Sequence, residues 1–294
     1  MSHSSVERAG LLAGVQMRLL PSDDAFALRG STLASALTKD IELGLVPFCV
    51  IVTLGTTSTC AFDNLQEIGE VCQEYPDLWI HVDAAYAGSS FVCEEFRGPM
   101  KGVHMADSFN FNPHKWLLVN FDCSTMWVRK SEEIVDAFRV DPIYTRRQHR
   151  ADPNAPNYRH WQLPLSRRFR ALKLWFVMRM YGRDGLQRHI RKEVALAAVF
   201  EALVLQDSRF ETVCPAVLGL VCFRVKAARD MNALHKRLVQ RINKDGDIHL
   251  VASEVRGVHF LRVAVGSRFT EPEDMVFAWQ AIERATSALL ADEE

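Results

Sequence analysis

The segment Leu45–Leu54 (Leu-Val-Pro-Phe-Cys-Val-Ile-Val-Thr-Leu) constrains the fold more than any other part of the chain. It is a nearly unbroken apolar run rich in β-branched residues, without the polar alternation that would leave one face wet. Such a run suits a strand buried on both faces, as in a parallel sheet. A second buried strand, Leu78–Asp83, follows a helically spaced stretch over Asn64–Glu74. Strand, helix, strand in this order predicts an α/β domain with a mainly parallel sheet. Ser108–Asn112 and Ser124–Arg129 are shorter strand candidates, and Ser31 N-caps a helix that closes near Gly44.

The later chain reads differently. Asp141–Tyr158 is rich in Arg, Pro and Asn, which predicts an exposed, mobile loop. Helical patterns cover Ser166–Met180 and Asp184–Gln206. A strand over Leu218–Val225, a helix over Met231–Asn243, a strand pair (Ile248–Val255 and Val258–Val265) and a helix over Glu271–Leu289 then form a small α+β unit. The expected organisation is a large domain over residues 1–172 and a small C-terminal domain over residues 173–294.

Composition narrows the function classes. With 48% apolar and 24% charged residues, the 294-residue chain can bury a sizeable core. Lys plus Arg (35) nearly equal Asp plus Glu (36), so the basic excess of a nucleic-acid binder is missing. Seven scattered cysteines with no CxxC pair argue against a zinc knuckle or a disulfide framework and suit reduced thiols in the cytoplasm. No apolar run is long enough to span a bilayer. The expectation is a soluble cytoplasmic protein with no metal site and no membrane or nucleic-acid partner.

Two residues carry most of the chemistry. Lys115, in Asn112-Pro-His-Lys-Trp, follows an apolar strand. A partly desolvated lysine has a lowered pKa and a free amine, as a Schiff-base nucleophile needs; taken alone, a solvated strand-end lysine is the preferred reading. Asp83 ends its strand where α/β sheets bind ligands, and the small residues Ala84 and Ala85 let a flat ring approach the backbone. A turn or N-cap aspartate is its ordinary alternative, but the pair at one sheet edge is more specific than either member. Thr57 offers a ligand hydrogen bond or is a turn threonine. Tyr144 offers a proton donor delivered by loop closure or is a surface aromatic. His3 offers a ring to stack on a ligand or is a terminal histidine. The cluster Arg167–Arg170 reads as a phosphate site or as a solvated helix face.

Long motifs then appear in a known order: His3-Ser-Ser-Val-Glu-Arg-Ala-Gly, Ala61-Phe-Asp-Asn, His81-Val-Asp-Ala-Ala-Tyr-Ala-Gly, Ser108-Phe-Asn-Phe-Asn-Pro-His-Lys-Trp and Tyr158-Arg-His-Trp-Gln-Leu-Pro-Leu-Ser-Arg-Arg-Phe-Arg. Over essentially its whole length the chain resembles the group II pyridoxal-phosphate (PLP) decarboxylases, in their aromatic-amino-acid branch. The resemblance implies a type I PLP fold and an interlocked homodimer. It assigns Lys115 to the covalent cofactor linkage, Asp83 to the pyridine nitrogen and His3 to stacking over the ring. Thr57, Ala85, Asn112 and His114 become cofactor contacts, and Tyr144 falls on a loop that reaches the neighbouring subunit's site. Lys115, Tyr144 and His3 are the implied catalytic residues.

The implied reaction is decarboxylation of aromatic L-amino acids (L-dopa, 5-hydroxytryptophan, tyrosine) to amines and CO2. Family aldehyde synthases alter the stacking histidine or the loop tyrosine, and this chain retains both. Specificity turns on two positions. Ser166 stands where aromatic decarboxylases usually have Gly and histidine decarboxylases have Ser, whereas His114 stands where histidine decarboxylases usually have Ser. The aromatic reading is preferred, with histidine as the alternative. Relatives also carry a segment before the His3 motif that holds phosphate-binding residues. Its absence here leaves a further alternative, an inactive fragment that only associates with full-length subunits.

Overall fold

The computed structural model describes residues 1–140, 157–226 and 231–292. Its first sheet contains β1 (Cys49–Thr53), β2 (Trp79–Asp83), β3 (Ser108–Phe111) and β4 (Thr125–Val128), in that order. The first three strands are parallel and β4 pairs antiparallel with β3. β1 is shorter than the apolar run that predicts it. Pro47 has no N–H for a ladder, and Leu45, Val46 and Phe48 before the strand are exposed.

One face of this sheet is fully covered. Val50, Val52, Ile80 and Val82 pack with Leu33 and Leu37 of α2 (Gly30–Glu42) and Leu65 and Ile68 of α3 (Leu65–Cys72). Asn64 caps α3, its Oδ1 accepting the Glu67 N–H at 3.1 Å. Ile51 and His81 on the opposite face are only half-buried, so burial there is less complete than the sequence suggests. Three short helices lie around the sheet: α1 (Ser4–Ala13), α4 (Pro113–Trp116) and α5 (Ser131–Ala137).

The long helix α6 (Arg170–Gln206) contains one non-helical residue, Gly182 at φ 62°, which separates the two helical stretches the sequence predicts. The second sheet is wholly antiparallel, in the order β5 (Phe210–Val217), β6 (Leu220–Val225), β8 (Val258–Ala264), β7 (Val251–Val255). The C-terminal half of α6 packs against it with α7 (Met231–Asp245) and α8 (Pro272–Ala291), around Phe200, Phe210, Phe223, Leu238, Trp279 and Ile282. A capping box between Glu271 and Asp274, with Pro272 in the first turn, starts α8.

Two small apolar clusters join the halves: Cys60 with Leu220, Cys222 and Phe260, and Trp116 with Cys93 and Ile190. Among the described residues no helix is long and apolar enough to cross a membrane, and no group of three His, Cys, Asp or Glu is placed to hold a metal ion.

Candidate active site

The register makes the carboxyl ends of the parallel strands level. Thr53 lies beside Asp83, and Asp83 beside Asn110. Backbone links then tie the following turns together. The Leu54 N–H donates to the Asp83 carbonyl at 2.8 Å, and the Asn112 N–H to the Ala85 carbonyl at 3.0 Å. Asp83 Oδ1 accepts the Ala85 N–H at 2.9 Å, an aspartate turn of the ordinary kind. Gly55 leaves β1 at φ 83°, and a side chain there would meet the Ala87 methyl at 2.7 Å. The start of α4 at Pro113 turns the chain so that the Lys115 N–H donates to the Asn112 carbonyl at 2.9 Å. Asp83, Ala85, Asn112 and Lys115 therefore share one edge.

The N-terminal residues come to the same edge. The Ser2 hydroxyl lies 3.4 Å from Thr53 Oγ1. His3 caps α1, its Nδ1 accepting the Ser5 N–H at 3.2 Å, and its ring is exposed.

The electrostatics at this edge make the lysine easier to deprotonate than an exposed one. Desolvation holds the Lys115 pKa below the ordinary lysine value; the Asp83 carboxylate opposes that shift and the Arg262 guanidinium adds to it. Arg262, on β8, also donates to the Thr57 carbonyl. His81 sits one layer behind, with Nδ1 2.7 Å from Ser108 Oγ and Nε2 3.0 Å from Asn110 Oδ1. Burial lowers its pKa, so the ring is neutral at the site. Asn112 Oδ1 is buried and has no hydrogen-bond partner. Such an orphan costs about 1–3 kcal/mol, and a bound group carrying a hydroxyl donor relieves it, as the phenolic hydroxyl of PLP can.

The two positions expected to bear on specificity meet in a second place. His114 and Ser166 line one cleft of about 570 Å³, together with Phe121, Ser124 and Arg170. His114 Nδ1 accepts the Cys123 N–H at 3.0 Å, and its ring meets Phe121 edge-on at 4.9 Å. Arg170 closes one side through a two-point bond to Asp122 (3.2 and 3.0 Å), which keeps the Asp122 carboxyl below its usual range. Tyr144 lies outside the described residues. Sequence reasoning missed Arg262, because an arginine in an amphipathic strand looks like surface. It passed over Asp63 and His81 although both stand in quoted motifs.

A level sheet edge, a desolvated lysine facing a carboxylate and a separate antiparallel unit together define an α/β protein of the type I PLP fold. The chain belongs to the pyridoxal-dependent decarboxylase family, whose conserved domain it matches over residues 1–226. It is 57% identical over 282 residues to the aromatic-L-amino-acid decarboxylase of Manduca sexta, covering 96% of this chain and 54% of that protein. It is 55% identical over 293 residues to that of Sus scrofa, covering 100% of this chain and 60% of the relative. The crystal structure of Oryza sativa TDC with PLP and tryptamine superposes with a TM-score of 0.93 at 38% identity, over 98% of this chain and 61% of that one. Rhodiola rosea 4-hydroxyphenylacetaldehyde synthase gives 0.89 at 34% identity, over 98% and 60%. The chain thus spans little more than half the length of these proteins.

Proposed function

We propose that this chain carries the lysine-bearing half of a PLP-dependent decarboxylase that converts aromatic L-amino acids (L-dopa, 5-hydroxytryptophan or tyrosine) to amines and CO2. The observation that carries the reading is the Lys115–Asp83 pair at the level sheet edge, with the lysine pKa lowered by desolvation. Lys115 would hold the cofactor and Asp83 its pyridine nitrogen, with Asn112, Ala85, Thr57 and His114 as further contacts and His3 stacked over the ring. When bound, PLP supplies an electron sink for the bond to the departing carboxylate. Lys115, its pKa lowered by desolvation, would supply the amine that holds the cofactor. His114 and Ser166 shape the space for the substrate side chain, and Tyr144 or His3 handles the proton at Cα. The cofactor-binding body ends near residue 172.

A histidine substrate is the second reading, favoured by the Ser166 hydroxyl in the same cleft as His114. A homodimer fits the exposed Leu172, Trp175 and Phe176 along α6, and a reducing cytoplasm suits the free cysteines. The test is to mix purified chain with PLP, reduce with borohydride and map the adduct. A PLP mass fixed on Lys115, lost in Lys115→Ala, is the expected result. No adduct on a folded chain would overturn the catalytic reading and leave that of an associating fragment. Turnover of L-dopa, 5-hydroxytryptophan, tyrosine and histidine then ranks the substrates, and fastest turnover of histidine would overturn the aromatic assignment.

A further inference from the structure

Three side chains in a row across the second sheet hold three successive carbonyls of the turn that carries Thr57. Cys214 of β5 is the cross-strand partner of Cys222 of β6, and Cys222 is the partner of Arg262 of β8. Residues paired directly across antiparallel strands project from the same face. Here that face meets residues 57–59. Arg262 donates to the Thr57 carbonyl, the Cys222 thiol to the Ser58 carbonyl at 3.2 Å, and the Cys214 thiol to the Thr59 carbonyl at 3.9 Å. Register shifts lie on both sides of Cys214, so the strand is irregular where its thiol meets the turn. Cys222 is buried, whereas Cys214 is partly accessible. The proposed decarboxylation uses neither thiol.

We propose that Cys214 and Cys222 form a redox modification site, at which a peroxide converts the pair to a disulfide and thereby frees the Thr57 turn from the second sheet. Cys214, partly accessible, is the thiol a peroxide reaches first, and the buried Cys222 stands directly across the strand pair from it. Cys214 is therefore the attacking thiolate and Cys222 the resolving thiol. The Cys214 sulfur attacks one peroxide oxygen, the O–O bond breaks, and the leaving hydroxide takes a proton to become water. That step leaves a sulfenic acid on Cys214. The Cys222 sulfur then attacks the sulfenic sulfur, the S–S bond forms, and the hydroxyl leaves as water with the Cys222 proton. Two thiols and one hydrogen peroxide give one disulfide and two waters; the sulfurs lose the two electrons that the peroxide oxygens gain.

The disulfide consumes both S–H donors. The Ser58 and Thr59 carbonyls lose their partners on the sheet, and Arg262 alone remains on Thr57. The effect on PLP rests on the cofactor role proposed for Thr57; formation of the bond does not. Cys214 and Cys222 lie in one tryptic peptide, Phe210–Arg224, that contains no other cysteine. Reduced chain treated with hydrogen peroxide, alkylated and digested should yield this peptide two hydrogens lighter and unlabelled, and dithiothreitol should reverse both changes. Cys222→Ser should leave a sulfenic acid on Cys214 that dimedone traps, and Cys214→Ser should leave Cys222 alkylatable. Full alkylation of both cysteines at peroxide levels that oxidise others, or sulfinic acid on Cys214 beside a free Cys222, would overturn the site. The oxidised chain should bind PLP roughly fivefold more weakly by tryptophan quenching, recovering on reduction. Equal affinity in a chain shown to carry the disulfide would overturn the release of the turn. Failure of both forms to bind PLP would count against the cofactor reading instead, with the peptide result standing.

Discussion

Asp63 shows how single side chains fix the site from beneath. Its carboxylate is buried and accepts two backbone N–H groups, from Thr53 at 2.7 Å and Leu28 at 2.8 Å. Its own N–H donates to the Thr53 carbonyl at 3.0 Å. One residue thus ties the end of β1 to the segment entering α2, next to the position level with Asp83. Burial pushes its pKa up and the two N–H donors oppose that shift. In Asp63→Asn one acceptor is lost and an NH2 faces a backbone donor. The expected loss is about 2–3 kcal/mol of stability, read by urea denaturation, together with weaker PLP binding. An unchanged midpoint would show that the turn is held by other contacts. Lys115 and Asp83 stood out in the sequence because Asp83 ends an apolar strand and Lys115 closely follows one, where charge is out of place. Asp63 was not, since its partners are backbone groups at positions 28 and 53 that no local pattern reveals.

At the scale of elements, α6 presses a buried ionisable pair against the residue that follows Lys115. His189 Nε2 donates to the Trp116 carbonyl at 3.2 Å, and its Nδ1 lies 3.4 Å from Glu193 Oε1. Glu193 is fully buried, and neither of its oxygens has a hydrogen-bond partner. Burial lifts its pKa from 4.5 to about 7 and lowers that of His189, so an uncharged acid beside an uncharged ring is the least costly state. Between pH 4.5 and about 7 the folded chain keeps a Glu193 proton that the unfolded chain has lost. The stability Glu193 contributes is therefore complete below 4.5 and lost as pH rises through about 7. His189 works oppositely: its folded pKa is depressed, so its contribution is lost as pH falls below 6.5. Glu193→Gln keeps the shape and removes the acid. It should stabilise the chain by about 2–3 kcal/mol at pH 8, with the gain shrinking towards pH 4.5. Melts across that range check it, and a constant difference would mean that Glu193 does not titrate with folding. The period of α6 was legible in the sequence, including its interruption, because Gly182 separates two apolar stripes. β5 was not, since Glu211, Thr212 and Pro215 break its alternation and cross-strand pairing with β6 supplies what its own pattern lacks.

For the whole molecule, the question is what locks the two sheets together at the site. Each half has its own core, and strand and helix periodicity reports burial within each half. The seam between them involves residues 86, 116, 219 and 265, whose meeting no periodicity announces. Tyr86 stacks on Trp116 with ring centres 4.8 Å apart and planes 16° from parallel, and Trp116 Nε1 donates to the Tyr86 carbonyl at 2.7 Å. Gly219 lies against this pair. A methyl group there would stand 2.6 Å from the Val265 carbonyl oxygen, 2.9 Å from Tyr86 Oη and 3.5 Å from Trp116 Cζ3. The Val265 oxygen is backbone, and its N–H is bonded to the Gly219 carbonyl at 2.8 Å, so it cannot retreat without moving the sheet. Gly219→Ala must therefore push the second sheet away from Tyr86 and Trp116, the neighbours of Ala85 and Lys115. Overpacking of this kind costs about 1–3 kcal/mol, and the displacement should also reduce PLP affinity, because the residues that yield adjoin the proposed cofactor contacts. Gly98→Ala is the control, since its added methyl meets nothing within 4 Å. Calorimetry and PLP titration of both variants should show the two losses together in Gly219→Ala and neither in Gly98→Ala; lost stability with unchanged affinity would place the seam outside the site's support.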